Sequence, residues 1–222
     1  DFAALSAFHR DGWGIAELEA GTTTPKLIVE PIQASESEAF KRASQEDKYN
    51  GALLHFRWAT AGLPVVEGNT HPFTHGEYSF IHNGGVLPAT AMDSFIDKDL
   101  FEGLRGTTDS ERYFATILTE IRKSGLVEGV AAAIRLIREK CDYSSLNAML
   151  LTPHQMIIIN EHTYKRIPPG ETEAYYDLYY RKNADGVLVA SSGWDQAGWT
   201  LIENHRALII DRLTFDIEEI VL

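Results

Sequence analysis

Residues 55–85 hold a concentration of side chains that could do chemistry: Arg57, Thr60, Asn69, His71, His82 and Asn83. Two apolar runs in this stretch, residues 51–56 and 78–82, predict strands that end in polar residues. Polar side chains at strand ends, followed by glycine-containing turns, are how a rigid sheet presents reactive groups at its edge. We therefore expect a functional site here rather than an ordinary hairpin with polar ends.

Arg57 and the Asn83–Gly84 pair suit the recognition of oxygen atoms. A planar guanidinium grips a carboxylate with two parallel hydrogen bonds, although a surface or interstrand salt bridge is the commoner use of an arginine. An asparagine amide and a glycine N–H can both point at one oxygen, but the same dipeptide also favours a two-residue hairpin turn. The residue types alone leave these alternatives open.

Five short motifs place these residues in a longer pattern. They are DGWGIA at 11–16, Arg57-Trp58-Ala59-Thr60-x-Gly62, NTHP at 69–72, HNG at 82–84 and TDSE at 108–111. In this order and approximate spacing they resemble the class II glutamine amidotransferases, the N-terminal-nucleophile type. The resemblance runs from about Asp11 to Phe114. The spellings RWATAG and TTDSER look most like small stand-alone members, some of which hydrolyse γ-glutamyl compounds other than glutamine.

The resemblance implies hydrolysis of a γ-carboxamide, with a substrate-binding set of Arg57, Thr60, His71 and Asp109. Arg57 would hold the α-carboxylate, Thr60 would add a hydroxyl donor and Asp109 would pair with the α-ammonium group. His71, like His82, is expected to order nearby backbone rather than to transfer protons. Asp109 also fits a plain helix N-cap, because residues 107–110 are rich in capping side chains.

The catalytic pair that the resemblance implies is Asn83 and Gly84, which would donate hydrogen bonds to the oxyanion formed when the amide carbon is attacked. A competing interpretation takes His71, His75 and His82, with or without His55, as metal ligands. Their spacing fits no zinc pattern, and no cysteine accompanies them. We expect neither a metal nor a cofactor.

The nucleophile is where the sequence departs from the pattern. The resemblance requires an N-terminal cysteine whose thiol attacks and whose α-amine serves as base. This sequence begins at Asp1, and its one cysteine, Cys141, ends an apolar helical pattern, where a small buried hydrophobe is expected. Ala61 is a second departure, because several relatives carry a polar residue there.

Two explanations of the missing cysteine remain. We favour a front segment that carries the cysteine and lies outside these residues, because the first residues look like the end of a helix and no initiator Met is present. The alternative is a catalytically inactive relative that binds a glutamine-like ligand or docks a partner.

Composition narrows the class of protein. The 222 residues carry a formal net charge of −12, and phosphate-backbone binding needs clustered Lys and Arg, so nucleic acid is not expected as a partner. No apolar run reaches the roughly 20 residues of a membrane span, and no signal peptide is seen. One cysteine fits a reducing compartment, so a cytoplasmic location is expected. The expected partners are a small-molecule substrate and, unless water accepts the ammonia, a separate acceptor protein.

The elements that must position the site follow from periodicity and turn signals. Strands are predicted at 15–19, 26–31, 51–56, 78–82, 146–151, 156–160, 178–182, 187–191, 207–211 and 215–221, and helices at 35–43, 110–123 and 127–141. Ser35 or, equally, Ser37 would cap the first helix. Trp13 and Trp58 are expected to pack, as are Trp194 and Trp199 unless they line a pocket.

No linker or repeat divides the sequence, so a single domain over residues 1–222 is expected. Hairpins at both ends with helices between them favour the α+β class, with two stacked, mainly antiparallel sheets and helices outside. The resemblance implies the more specific four-layer αββα sandwich of the N-terminal-nucleophile hydrolases.

Overall fold

The computed structural model describes residues 2–45, 49–60 and 62–222; Asp1 and Ala61, both singled out above, lie outside these ranges. The α-helices are α1 Glu38–Ala43, α2 Lys98–Glu102, α3 Asp109–Ser124 and α4 Leu126–Lys140. The strands are β1 Trp13–Glu19, β2 Lys26–Glu30, β3 Tyr49–Phe56, β4 Phe73–His75, β5 Tyr78–Leu87, β6 Asp142–Leu151, β7 Gln155–Asn160, β8 Leu178–Asn183, β9 Gly186–Ser191, β10 Thr200–Ile202, β11 Arg206–Asp211 and β12 Ile217–Val221.

The largest sheet has the order β12-β11-β7-β6-β5-β4, and its neighbouring strands are antiparallel. Side chains alternate between its two faces along each strand. Ile157 and Ile159 of β7 pack in the cluster that contains α3 and α4, whereas Ile158 packs in a cluster with β8 and β10. Both faces of this sheet are therefore covered.

Helices α3 and α4 cover the outer face of the large sheet because each has one apolar stripe at helical spacing. Tyr113 and Ile117 of α3 and Ile134 and Ile137 of α4 have no exposed area. The Tyr113 hydroxyl donates a hydrogen bond to the Leu146 carbonyl at 3.1 Å, which satisfies its one buried polar group. This layer fixes the start of α3 against β5 and β6.

Two three-stranded sheets, β2-β1-β3 and β10-β8-β9, lie on the inner face of the large sheet. Leu18 and Leu53 of the first pack with Ile81, while Leu178 and Ile202 of the second belong to a separate cluster. Met149 and Met156 of the large sheet contact both clusters and so lie between the two small sheets.

Helix α1 lies outside the β2-β1-β3 sheet, where the Phe40 ring makes edge contacts with Trp13 at 5.1 Å and Phe56 at 5.6 Å. The order of layers is therefore helix, sheet, sheet, helix. This confirms the α+β class and the αββα sandwich that the sequence implied. Among the described strands, β2 and β3 are the edges of one small sheet, and β9 and β10 are the edges of the other.

Most of the predicted elements are present, with shifted ends. Strand β1 begins at Trp13, two residues before the predicted start at residue 15. Ser37, not Ser35, caps α1, because its hydroxyl accepts a hydrogen bond from the Phe40 amide at 2.9 Å. No helix in the described part of the chain is long and apolar enough to cross a membrane.

The predictions for single packing residues had mixed outcomes. Trp13 is fully buried, as expected, but the prediction for Trp58 is wrong: it is 67% exposed and touches the His9 ring edge-on at 5.8 Å. Trp194 and Trp199 pack against each other at 5.4 Å. Cys141 is partly exposed at the end of α4 rather than fully buried.

Candidate active site

Arg57 follows β3 and is buried, with 4% of its area exposed. Its guanidinium donates two long hydrogen bonds, from Nη1 to the Asp11 carbonyl at 3.5 Å and from Nη2 to the Pro64 carbonyl at 3.3 Å. It forms no ion pair with a carboxylate of any described residue, so the salt-bridge alternative does not hold there. Burial lowers the pKa of Arg57, with Asp11 opposing the shift. A buried cation held by two weak neutral contacts suits an anionic ligand.

The loop after Arg57 is held by Asp11, which lies just before β1. Asp11 Oδ2 accepts a hydrogen bond from the Ala59 amide at 2.8 Å, and main-chain bonds join Asp11 and Gly12 to Arg57. Thr60 lies in this loop, is exposed, and its carbonyl accepts a bond from the Leu63 amide at 3.0 Å. The first two motifs of the sequence therefore form one structural unit.

Asn83 and Gly84 lie inside β5, not in a hairpin turn. Asn83 is opposite Asn147 in the register with β6, and the strand pairing shifts between Gly84 and Val86. Gly84 has a φ of +149°, and a Cβ at this position would overlap the Ser145 carbonyl oxygen, so only glycine fits. Asn83 and Gly84 are both exposed; they pair with β6, whereas β4 pairs with residues 78–80 of β5.

The direction of the Asn83 side chain follows from strand alternation. Ile81, two residues earlier, packs on Leu18 and Leu53 of the small sheet, so Asn83 faces the same inner side. Its exposure shows that the inner face is open above Asn83. An asparagine amide and a glycine backbone at the edge of this opening have the composition of an oxyanion-binding pair.

His82 joins β5 to its two neighbouring elements. Its Nδ1 lies 3.0 Å from the Ser110 hydroxyl of α3 and its Nε2 lies 3.0 Å from the Ser145 carbonyl of β6. Because a carbonyl can only accept, Nε2 carries the proton and Nδ1 accepts from Ser110. Burial lowers the pKa of His82, which favours this neutral form. The expectation that His82 orders nearby backbone is confirmed.

Asp109 is the first residue of α3, and the capping residue is its neighbour. The Thr108 hydroxyl accepts a hydrogen bond from the Glu111 amide at 3.2 Å, so Thr108 is the N-cap. Asp109 Oδ2 instead accepts a hydrogen bond at 2.8 Å from the amide of Val86, which lies in the same strand as Asn83 and Gly84. The helix N-terminus stabilises its negative charge. The carboxylate therefore lies at the end of β5 and at the N-terminus of α3.

His71 packs against His55, with ring centroids 4.3 Å apart, and against Phe73 at 4.7 Å. It is 6% exposed, and neither ring nitrogen has a hydrogen-bond partner among the described residues. Burial lowers the pKa of His71 well below its ordinary value and lowers the pKa of His55 to about 3. The ring of His71 makes no hydrogen bond to the backbone of any described residue, so the expectation that it orders nearby backbone is wrong. Its role in substrate binding stays a prediction.

Contacts of Asp11 and Asp109 connect four of the five motifs in two pairs. Asp11 and Arg57 form one loop unit, and Asp109 contacts β5 beside Asn83 and Gly84. Within the described ranges, no group of three or more His, Cys, Asp or Glu is arranged to hold a metal ion. Sequence reasoning missed Ser110 and Ser145, the two partners of His82. Ser110 stood in a quoted motif, but Ser145 acts through its carbonyl, which leaves no signal in a sequence.

Residues 2–163 match the family model described as class II glutamine amidotransferases. A curated yeast relative, the probable glutamine amidotransferase DUG3 of Saccharomyces cerevisiae, is 28% identical over 123 residues. That alignment covers 52% of this chain and 34% of the relative. The chain therefore spans about a third of the length of this curated relative.

Solved structures match over nearly the whole chain at low identity. A class II glutamine aminotransferase domain protein from Silicibacter pomeroyi gives a TM-score of 0.72 at 22% identity, covering 95% of this chain and 91% of its own. The glutamine phosphoribosylpyrophosphate amidotransferase of Bacillus subtilis gives 0.67 at 18%, covering 99% of this chain and 45% of its own. A predicted glutamine amidotransferase from Pseudomonas aeruginosa gives 0.57 at 21%, covering 94% and 87%. These structures share the fold described above.

Proposed function

Because the chain belongs to the class II glutamine amidotransferases, we propose that it cleaves the γ-amide of glutamine or of another γ-glutamyl compound and releases ammonia or an amine. The observation that carries the proposal is Arg57, a buried guanidinium that donates to two backbone carbonyls and has no carboxylate partner among the described residues. Buried charges are normally paired, so a carboxylate-bearing ligand would complete this site.

In the proposed complex, the α-carboxylate of the substrate binds Arg57 and the α-ammonium group binds Asp109. Thr60, on the exposed side of the Arg57 loop, adds a hydroxyl donor. His71, next to Phe73, contributes a neutral ring to the same region. Asp109 already accepts the Val86 amide through Oδ2, which leaves lone pairs of the carboxylate for the ammonium group.

The γ-carbonyl then lies at Asn83 and Gly84, where the Asn83 amide and a glycine N–H donate to its oxygen. As a thiolate attacks, the carbonyl oxygen gains negative charge, and these donors bind that charge more tightly than they bind the neutral carbonyl. Gly84 is essential in this account, because any side chain would overlap the Ser145 carbonyl. His82 holds this part of β5 through Ser110 and Ser145.

The nucleophile in this proposal is an N-terminal cysteine from outside residues 1–222. Its thiol adds to the amide carbon, its α-amine takes the thiol proton and passes it to the leaving nitrogen, and water hydrolyses the thioester. Cys141 does not fit this role, because it lies at the C-terminal end of α4 and burial raises the pKa of its thiol. The open inner face above Asn83 supports the entry of such a segment.

The acceptor of the ammonia, in this proposal, is water or a separate protein. The matched Bacillus subtilis chain is more than twice as long as the portion aligned here, and it is a glutamine phosphoribosylpyrophosphate amidotransferase.

The test is ammonia release from glutamine and from γ-glutamyl compounds by the full-length protein, with the variants Arg57→Ala and Asn83→Ala. We expect Asn83→Ala to lower kcat about 10²–10³-fold, as loss of one oxyanion donor does. We expect Arg57→Ala to act mainly on KM, because it removes a contact made equally before and during reaction.

Asn147→Ala serves as a matched control for Asn83→Ala, because Asn147 is the cross-strand neighbour of Asn83 and its amide donates to the Tyr176 carbonyl instead. Asn147→Ala should lower the free energy of unfolding and leave the oxyanion contact intact. Full turnover in both Arg57→Ala and Asn83→Ala would refute the proposed function. Binding of glutamine without turnover by the native protein would support an inactive, ligand-binding relative instead.

A further inference from the structure

Asn69, in the NTHP motif, is a buried side chain whose four polar contacts lie on two different loops. It is 1% exposed. Its Nδ2 donates to the Pro64 carbonyl at 3.1 Å and lies 3.3 Å from Thr107 Oγ1. Its Oδ1 accepts from the Thr107 amide at 2.8 Å and from the Thr107 hydroxyl at 3.5 Å. Both ends of the amide are therefore used, and they fix Pro64 relative to Thr107.

The contact between Asn69 and Pro64 also involves Arg57. The Pro64 carbonyl accepts from Arg57 Nη2 at 3.3 Å as well as from Asn69. This carbonyl is one of the two described acceptors that orient the guanidinium. Movement of Pro64 would therefore change the direction in which Arg57 presents its remaining donors.

The contact between Asn69 and Thr107 holds the chain two residues before Asp109. The intervening turn has little freedom, because the Glu111 carboxylate accepts from the Arg105 amide at 2.8 Å and from the Gly106 amide at 2.7 Å. Gly106 approaches Gly68 so closely that a Cβ would overlap the Gly68 carbonyl and Asn69 Oδ1. The loop before Asp109 is thus packed against the turn that contains Asn69.

We propose that Asn69 is a positioning residue that sets the spacing between Arg57 and Asp109, and that this spacing selects ligands with a carboxylate and an ammonium group on one carbon. The inference rests on the proposed roles of Arg57 and Asp109. Two anchors held at a fixed distance bind a matching ligand together, because neither has to be ordered when the ligand arrives. When the distance is free, the second anchor adds less affinity.

The test compares three ligands that the enzyme cannot turn over. Glutamate carries both α-groups, glutarate lacks the α-ammonium group and 4-aminobutanoate lacks the α-carboxylate. Calorimetric titration of each into the full-length protein gives two affinity ratios, glutamate over glutarate and glutamate over 4-aminobutanoate. We expect Asn69→Ala to reduce both ratios about tenfold or more, corresponding to the loss of about 1.4 kcal/mol of coupling between the anchors.

Asn160→Ala is the matched control. Asn160 is also 1% exposed, and its amide donates to the Ile202 carbonyl at 2.7 Å, between the large sheet and β10. It should lose similar stability while both ratios stay at their wild-type values. Thr107→Val removes the hydroxyl contacts to Asn69 and keeps the amide contact, so it should reduce both ratios by a smaller factor; it decides the matter if Asn69→Ala does not fold.

Wild-type ratios in Asn69→Ala, or in Thr107→Val where that variant decides, would overturn the inference, as would a wild-type protein that binds all three ligands equally. Ammonia release from glutamine is measured in parallel. A wild-type protein with the expected ratios but no turnover would refute the proposed hydrolysis and leave the role of Asn69 supported.

Discussion

The protonation of His55 should make the protein sensitive to mild acid. His55 lies in β3 with its ring on His71, and its Nδ1 is fully covered with no partner among the described residues. Burial, followed by the charges of His9, His82 and Arg57, lowers the pKa of His55 to about 3. The unfolded chain has an ordinary histidine pKa of about 6.5. Between these values the unfolded state binds a proton that the folded state does not, so stability falls as pH falls.

The size of the effect follows from the two pKa values. Each pH unit inside the window changes the free energy of unfolding by up to about 1.4 kcal/mol for one histidine. Going from pH 6.5 to pH 4.5 should therefore cost about 2 kcal/mol through His55 alone, because the unfolded state is already half protonated at pH 6.5. His55→Gln removes the titration and keeps an amide that can form the hydrogen bond with the His82 main chain. Over that pH range we expect the free energy of unfolding to fall less in this variant than in the wild type. The difference should be about the loss assigned to His55.

The assay is urea unfolding followed by circular dichroism at several pH values between 7.5 and 4.5. The difference in unfolding free energy between wild type and His55→Gln should change steadily below pH 6.5 and stay constant above it. His75→Gln, at an exposed histidine in β4, serves as control and should run parallel to the wild type. If the His55→Gln curve also stays parallel to the wild type down to pH 4.5, the assignment of a neutral, desolvated His55 is refuted.

Three further substitutions separate packing from chemistry. Gly84→Ala should lower the free energy of unfolding by at least about 2 kcal/mol and abolish turnover, because the new Cβ overlaps the Ser145 carbonyl at a φ of +149°; normal melting and activity would contradict this. Asp109→Asn keeps an acceptor for the Val86 amide but loses the charge, so KM for glutamine should rise about 10- to 100-fold in steady-state assays, while the free energy of unfolding by denaturant should change by less than about 1 kcal/mol. An unchanged KM would exclude the ammonium contact. Arg212→Met should cost about 2–4 kcal/mol in denaturant unfolding, because the guanidinium donates to the Leu18, Thr152 and Pro153 carbonyls and joins β1 to the large sheet; a loss below about 1 kcal/mol would show that these contacts are dispensable.

Arg57 and Arg212 show where sequence reasoning stopped. Both are buried arginines without an ion pair among the described residues, and residue type alone gives no reason to treat them differently, although a motif marked Arg57. In the fold, Arg212 donates to four acceptors on three elements, whereas Arg57 has two long contacts. The number and length of these bonds depend on segments far apart in the chain, so the structural arginine and the candidate ligand-binding arginine separate at the tertiary level.

The Trp58 and Asn83 outcomes have a similar origin. Asn-Gly favours a turn locally, but pairing with β6 holds Asn83 and Gly84 inside a strand. Trp58 was expected to pack because tryptophan usually does, yet the loop held by Asp11 presents it to solvent. Local propensity was overruled in both cases by contacts with residues distant in sequence.

The sequence by itself determined the family, the order of most strands and helices, and the α+β sandwich. These follow from motif order and from local periodicity, which depend on neighbours in the chain. The tertiary structure decided which side chains share the site: the exposure of Asn83 on a covered sheet, the neutral His82 bridge, and the Asn69 contacts between the loops of Arg57 and Asp109. Backbone carbonyls and amides provide most of those contacts, and every residue carries them, so their positions become specific once the layers are packed together.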